Sequence, residues 1–222
     1  MGKVKAAIFD VDGTLVDSVD LHAAAWQRAL EHFGHQVSFI DARGQIGKGG
    51  DKLIPLFLSD AEQADYGDAM EEYRTKLFRS EYLDLVRPFT AVPDLLRRMR
   101  DAGLKIAVAS SAKQAELDIY LEVAGISDLI DANTCSDDVS GSKPDPDIFE
   151  AALEKLGCSA EEAMVIGDTP YDAIAAKRAG IASIGVLSGG FREEDLREAG
   201  CVAVYPGPAA LFTRFANSPL AQ

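Results

Sequence analysis

Apolar positions along this chain follow two different periods. The run Val4 to Phe9 is short, β-branched and aromatic at intervals, and it stops at polar residues and a glycine. That is the pattern of a strand buried in a parallel sheet. After Leu15 the spacing changes: Val19, His22, Ala23, Trp26, Leu30 and Phe33 recur three and four apart, one helical stripe closed by Gly34. A second helix is predicted from the capping-box sequence Ser59-Asp60-Ala61-Glu62 through Met70, Tyr73, Leu77 and Phe78. No convincing strand interrupts residues 16–85, which predicts an all-helical insertion bounded by Val16-Asp17-Ser18 and Leu85-Val86-Arg87-Pro88.

From there helix and strand alternate. Pro93 opens a helix through Met99 that Gly103 closes, Lys105 to Ala109 reads as a strand, and Gln114 to Val123 as a helix ended by Gly125. A short strand is predicted near Ile130 to Asn133, a helix from near Pro146, and an apolar strand from Ala163 to Gly167. A helix from Ala173 to Ala179, a strand from Ala182 to Leu187 and a last strand from Cys201 to Tyr205 complete the pattern. The alternation predicts an α/β fold: a doubly wound, Rossmann-like parallel sheet with right-handed crossovers and an inserted all-helical cap domain. Residues 1–15 and 86–222 would form the core and 16–85 the cap.

Composition narrows the function classes. With 222 residues, 47% hydrophobic and 26% charged, the chain has an ordinary globular make-up and length for one large domain or a core plus a small one. No apolar stretch approaches the ~18 residues that span a bilayer, so neither an anchor nor a signal peptide is expected and the expected location is cytoplasmic. Cys135, Cys158 and Cys201 are far apart and odd in number, which suggests reduced packing thiols and neither zinc nor disulfides. Twenty-two basic against thirty-six acidic residues give a net charge of -14, which argues against nucleic acid and anionic membranes as partners. A small anionic substrate stays open, because a bound metal and one or two lysines can reverse the field inside a cleft. Monomer and dimer are both left open.

Several predicted strands end in polar residues, where open α/β sheets bind their ligands. Asp10 and Asp12 follow the first, Ser110 and Ser111 end Ile106-Ala107-Val108-Ala109, and Gly167-Asp168-Thr169-Pro170-Tyr171-Asp172 follows Met164-Val165-Ile166. Lys143 lies in Ser140-Gly141-Ser142-Lys143-Pro144-Asp145, just before a helix. Clustered carboxylates repel each other and must recruit a cation or keep a proton. Each piece alone has an ordinary explanation: an Asx turn, a helix cap, a strand end, a solvated lysine.

The four pieces in order resemble the haloacid-dehalogenase superfamily, in its phosphatase branch with a helical cap inserted after the first motif. The resemblance implies that Asp10 attacks phosphorus to form an aspartyl-phosphate and that Asp12 is the general acid and base. It implies that Ser110 binds the phosphoryl group and that Lys143 stabilises nucleophile and phosphate. It further implies a Mg2+ site of Asp10, Asp168 and the backbone carbonyl of Asp12, with Asp172 helping to hold Lys143 and the metal shell. Magnesium suits this chemistry, since it takes a few carboxylates, keeps waters and accepts a phosphate oxygen. Substrate contacts are expected from Ser111, His22, Lys48 and Lys52, while Trp26 reads as packing; Lys113 and Ser188-Gly189-Gly190 are weaker candidates.

The implied activity is hydrolysis of a small phosphorylated metabolite, as in phosphoglycolate phosphatases and their relatives. A phosphosugar mutase is the alternative. Against it, Ile46 to Leu58 contains lysines and no arginine, and the fourth motif reads Gly167-Asp168 where related mutases pair two acidic residues. Dehalogenation would not need Asp12, and a non-catalytic binding protein on the same fold would not need the intact set Asp10, Asp12, Lys143 and Asp168.

Overall fold

The short apolar run that ends at Phe9 becomes the central strand of the molecule. A computed structural model describes residues 3–221. Its strands in chain order are β1 (Ala6–Phe9), β2 (Val16–Asp17), β3 (Arg87–Pro88), β4 (Lys105–Ala109), β5 (Ala132–Thr134), β6 (Ala163–Gly167), β7 (Ala182–Val186) and β8 (Ala203–Tyr205). Six of them form one parallel sheet in the order β5-β4-β1-β6-β7-β8. This is the doubly wound α/β sheet that the alternation predicts.

Successive residues of β1 face opposite sides of the sheet, as the period of two requires. Ala7 and Phe9 join an apolar cluster with Leu95, Leu96 and Met99 of α6 (Val92–Asp101) and Leu117 and Tyr120 of α7 (Gln114–Ala124). Ala6 and Ile8 join the opposite cluster with Ile148 and Phe149 of α8 (Asp147–Leu156) and Ala175 and Ala176 of α9 (Pro170–Arg178). Phe9 and Ile8 are fully buried. Each such side chain contributes about 1.5–3 kcal/mol of hydrophobic stabilisation, so a polar residue at either position would strike both a core face and the frame of the site above it. Helices α10 (Glu193–Ala199) and α11 (Pro208–Thr213) complete the layers.

Between β2 and β3 the chain runs through α1 (Val19–His32), α2 (Phe39–Arg43), α3 (Gly50–Leu53), α4 (Asp60–Glu62) and α5 (Asp68–Glu81). Val19, Ala23, Trp26, Ala29, Leu30, Leu53 and Met70 form an apolar cluster of their own there, whereas Phe78 and Ala25 pack into the core cluster. Two features depart from the all-helical reading. The flanking segments pair with each other, Val16 with Pro88 and Asp17 with Arg87, as an antiparallel ribbon, and residues Gln63–Gly67 between α4 and α5 form a wide π-type turn. Helix α9 starts at Pro170, three residues earlier than predicted, because Thr169 and Asp172 form a capping box. No described helix is long and apolar enough to cross a membrane.

Candidate active site

The chain leaves β1 for β4 and β5 on one side of the sheet and returns to β6, β7 and β8 on the other. The carboxyl ends of β4, β1 and β6 therefore meet at a topological switch point, where such sheets bind ligands. Asp10 follows β1 directly, and its backbone N–H donates to the Ile166 carbonyl at 2.9 Å, continuing the ladder into the site. Asp168 follows β6 and Ser110 follows β4.

These ends bring together residues far apart in sequence. Lys143, fully buried, donates from Nζ to Asp10 Oδ1 at 2.5 Å and to the Ala109 carbonyl at 3.0 Å, and it ion-pairs with Asp172 Oδ1 at 2.8 Å. A buried ammonium is tolerable only with such partners. Burial would lower the Lys143 pKa, yet Asp10 and Asp172 carry it above its usual value. The Asp10 carboxyl is pushed up to about 7, chiefly by burial, against Lys143 and with help from Asp172 and Asp12. Burial and the neighbouring Asp10 and Asp172 likewise push Asp168 well above the carboxylate range.

Asp10, Asp168 and Asp172 each offer an oxygen within 4.8 Å of the others, and all three are buried. Asp172 is held by Thr169, whose hydroxyl and N–H donate to its Oδ2 at 2.7 and 3.1 Å. Thr14 donates to Asp168 Oδ1 at 3.2 Å, while Asp168 Oδ2 is buried with no hydrogen-bond partner among the described residues. Gly13, at φ 81°, and Gly189 close over that oxygen, where Cβ atoms would lie 2.5 and 1.6 Å from it. An orphaned buried carboxylate oxygen beside two more carboxylates fits a hard cation.

Asp12 is turned away from this trio. Its Oδ1 accepts from Ser18 Oγ at 2.5 Å and meets His22 Nε2 at 3.0 Å. Burial favours its protonated form, but His22, Ser18 and Lys143 hold it below the carboxylate range. Ser18 precedes α1 yet does not cap it, its hydroxyl being spent on Asp12. His22 Nε2 also lies 3.1 Å from the Tyr120 hydroxyl, which donates its proton to Glu116 Oε1 at 2.8 Å.

A family model, haloacid dehalogenase-like hydrolase, matches residues 7–186. The chain belongs to the haloacid dehalogenase-like hydrolases. Among its relatives in this family, pyrophosphatase PpaX from Bacillus velezensis is 32% identical over 187 residues, 83% of each chain. Phosphoglycolate phosphatase from Aquifex aeolicus is 30% identical over 182 residues, 80% of this chain and 82% of that one. The solved structure of a hydrolase from Pseudomonas syringae superimposes with a TM-score of 0.87 at 30% identity, covering 96% and 98% of the two chains.

The remaining sequence candidates divide. His22, Lys48 and Ser111 line the small cavity that contains Asp10 and Asp12. Lys48 donates to Gln45 Oε1 at 2.6 Å with Nζ 4.5 Å from the Tyr171 ring centroid. Ser110 is buried, its Oγ accepting from the Ala112 N–H at 3.1 Å. Lys52 is not on that wall: its Nζ is tied to Asp145 Oδ2 at 2.7 Å. The loop Ser188-Gly189-Gly190 packs on Asp168 through Gly189. Thr14, Ser18, Glu71, Arg74, Glu116 and Tyr120 also frame the site, and only Thr14 and Ser18 had a sequence signal, their closeness to Asp12.

Proposed function

We propose that this haloacid dehalogenase-like hydrolase is a Mg2+-dependent phosphomonoesterase of a small phosphorylated metabolite, working through a phospho-aspartate on Asp10. One observation carries the reading. A buried carboxylate, Asp10, sits on Lys143 at the switch point, and a second carboxylate, Asp12, two residues on is held outside the acidic trio by Ser18. The phosphatase names of the relatives support it.

Asp10 and Asp168, with the backbone carbonyl of Asp12, would hold Mg2+, while Asp172 supports Lys143. When bound, the ion neutralises phosphate charge and orients the phosphoryl group. A carboxylate oxygen of Asp10 attacks phosphorus, the bond to the leaving oxygen breaks, and that oxygen takes a proton from Asp12. Asp12 then removes a proton from water, the hydroxide attacks phosphorus, and the bond to Asp10 breaks to release phosphate. Asp12 begins each cycle by leaving Ser18 and His22, the contacts that keep its pKa low, and so gains affinity for the proton it must donate. Tyr120, its own proton on Glu116, remains as an acceptor for His22 when Asp12 departs. Residues 16–85 act as the cap, since α1, α5 and residues 46–50 wall the cavity opposite Asp10.

A phosphomonoester panel with Mg2+ and with EDTA tests the reading, together with Asp10→Asn. Turnover should need Mg2+ and vanish in Asp10→Asn; activity within about tenfold of wild type in that variant would remove Asp10 from its role. Hexose 1-phosphates should yield free phosphate and little hexose 6-phosphate, the reverse being the outcome for a mutase.

A further inference from the structure

Of the buried side-chain atoms without a hydrogen bond among the described residues, Asp172 Oδ1 is met by the Lys143 ammonium at 2.8 Å, and Asp168 Oδ2 belongs to the acidic centre. The third is Arg74 Nε, on α5. A guanidinium donor removed from water and left unpaired is costly, so native structures rarely keep one without a ligand, ion or water to meet it. Glu71, one turn earlier on the same helix, does not supply the acceptor. The Arg74 guanidinium carbon lies 4.9 Å from the ring centroid of the buried Trp26. That stacking holds the group in place without satisfying a single N–H.

Its location gives it a use. The cavity containing Asp10 and Asp12 has a volume of about 50 Å³, and a second of about 200 Å³ adjoins it, bounded by α5 and the core segment 136–142. Arg74 lines both, as do Gly49, Gly50, Glu71, Ser111 and Glu116. The smaller volume accommodates a group of the order of a few waters, which suits a phosphoryl group; the larger receives what is attached to it. Arg74 therefore stands where the leaving group passes from one cavity to the other. A neutral hydroxyl there could accept from one N–H at a time, whereas a planar carboxylate or a phosphate can accept from the Nε–Nη edge as a fork.

We propose that Arg74 is a specificity residue that binds an anionic group on the leaving group. The preferred substrates are thus phosphoryl compounds whose leaving group carries a carboxylate or a second phosphate. The hydrolase reading enters only in naming the occupant of the larger cavity as a leaving group.

The test is calorimetric binding, in excess Mg2+, of three non-hydrolysable probes: phosphonopropionate, methylenebisphosphonate and propylphosphonate. Wild type should bind one or both of the doubly anionic probes about 10- to 100-fold more tightly than propylphosphonate, the range of a hydrogen bond to a charged group. Which of the two binds more tightly tells carboxylate from phosphate. The preference should collapse in Arg74→Gln, return in part in Arg74→Lys, and survive in Lys76→Ala on the same helix. Equal binding of all three probes to wild type, or a preference that persists in Arg74→Gln, overturns the proposal. Aryl phosphate turnover, measured separately, reports on the hydrolase reading: a probe preference without turnover would sink that reading and leave Arg74 standing.

Discussion

Replacing Gly189 with alanine should disable the acidic centre. The new Cβ would lie 1.6 Å from Asp168 Oδ2 and 2.4 Å from its Cγ, where ordinary contacts begin at 3.4 Å. Asp168 cannot simply retreat. The Gly13 backbone also crowds it, a Cβ there lying 2.5 Å from the same oxygen, and Thr14 holds its other oxygen at 3.2 Å. The loop is pinned as well, by Ser188 Oγ donating to the Gly13 carbonyl at 2.6 Å and by Arg43 donating to the Gly189 carbonyl at 2.9 Å. Relief therefore means turning the Asp168 carboxylate out of place or breaking those loop bonds. Overpacking of this kind costs about 1–3 kcal/mol, which for a chain of this length lowers Tm by roughly 2–12 °C. Displacing a reacting-centre group by about 1 Å costs on the order of 100-fold in kcat. Calorimetry in EDTA and steady-state kinetics across a Mg2+ titration measure the two effects. The control is Gly103→Ala, which meets nothing within 4 Å and bears only the strain of φ 85°, so it should lose some stability and no kcat. A Gly189→Ala protein with kcat within about threefold of wild type and an unchanged Mg2+ requirement would refute the assignment of Asp168 to the metal site.

Asp12→Ala should slow phosphate esters of alkyl alcohols at least tenfold more than nitrophenyl phosphate, whose leaving group needs little protonation; equal losses would count against Asp12 as the acid. Ser142→Ala removes a hydroxyl that donates to Asp51 Oδ1 at 2.5 Å and accepts from the Gly49 N–H at 3.0 Å. Because these contacts hold residues 49–51 against the core loop, KM should rise about three- to tenfold with kcat nearly unchanged, and an unaltered KM would show that the latch is idle. The pH dependence follows from Asp10. Its folded carboxyl is raised from 3.8 to about 7, so its stabilising contribution is present below the unfolded value and is lost as pH rises through about 7. In EDTA, Tm should therefore fall between pH 5 and pH 8 more steeply in wild type than in Asp10→Asn, and identical slopes would contradict the origin assigned to the shift.

The parallel sheet and the strand-end cluster were legible because both rest on chain order. Short apolar runs such as Ala163 to Gly167 announce buried strands, and the switch-point rule then places Asp10, Ser110 and Asp168 side by side. The ribbon of Val16–Asp17 with Arg87–Pro88 was not legible, since two residues carry no period. Lys52 illustrates a different limit. A lysine in a glycine-rich segment looks available to an anion, and only the fold shows that Asp145 already holds it. Glu116 reads in sequence as an ordinary acid in the first turn of a helix, and Arg74 as a solvated helix residue. Their roles exist only because α7 and α5 face each other across the cleft.

Two buried atoms, one in the acidic centre and one on the cleft wall, show the same physical symptom with opposite sign. Asp168 Oδ2 is a buried acceptor with no donor, beside carboxyls that burial drives toward their neutral forms. Arg74 Nε is a buried donor with no acceptor. Each orphan alone would be a net cost to the fold. They do not relieve each other: Arg74 lines the cavity that contains Asp12, whereas Asp168 lies off that wall, against Gly13 and Gly189 and beside Asp10. A ligand of the proposed class relieves both at once. Its phosphoryl group would share a cation with Asp168, and its second anion would meet the guanidinium. Selectivity would then come from engaging both atoms, since a singly anionic ester engages one of them only and forfeits the binding available at the other.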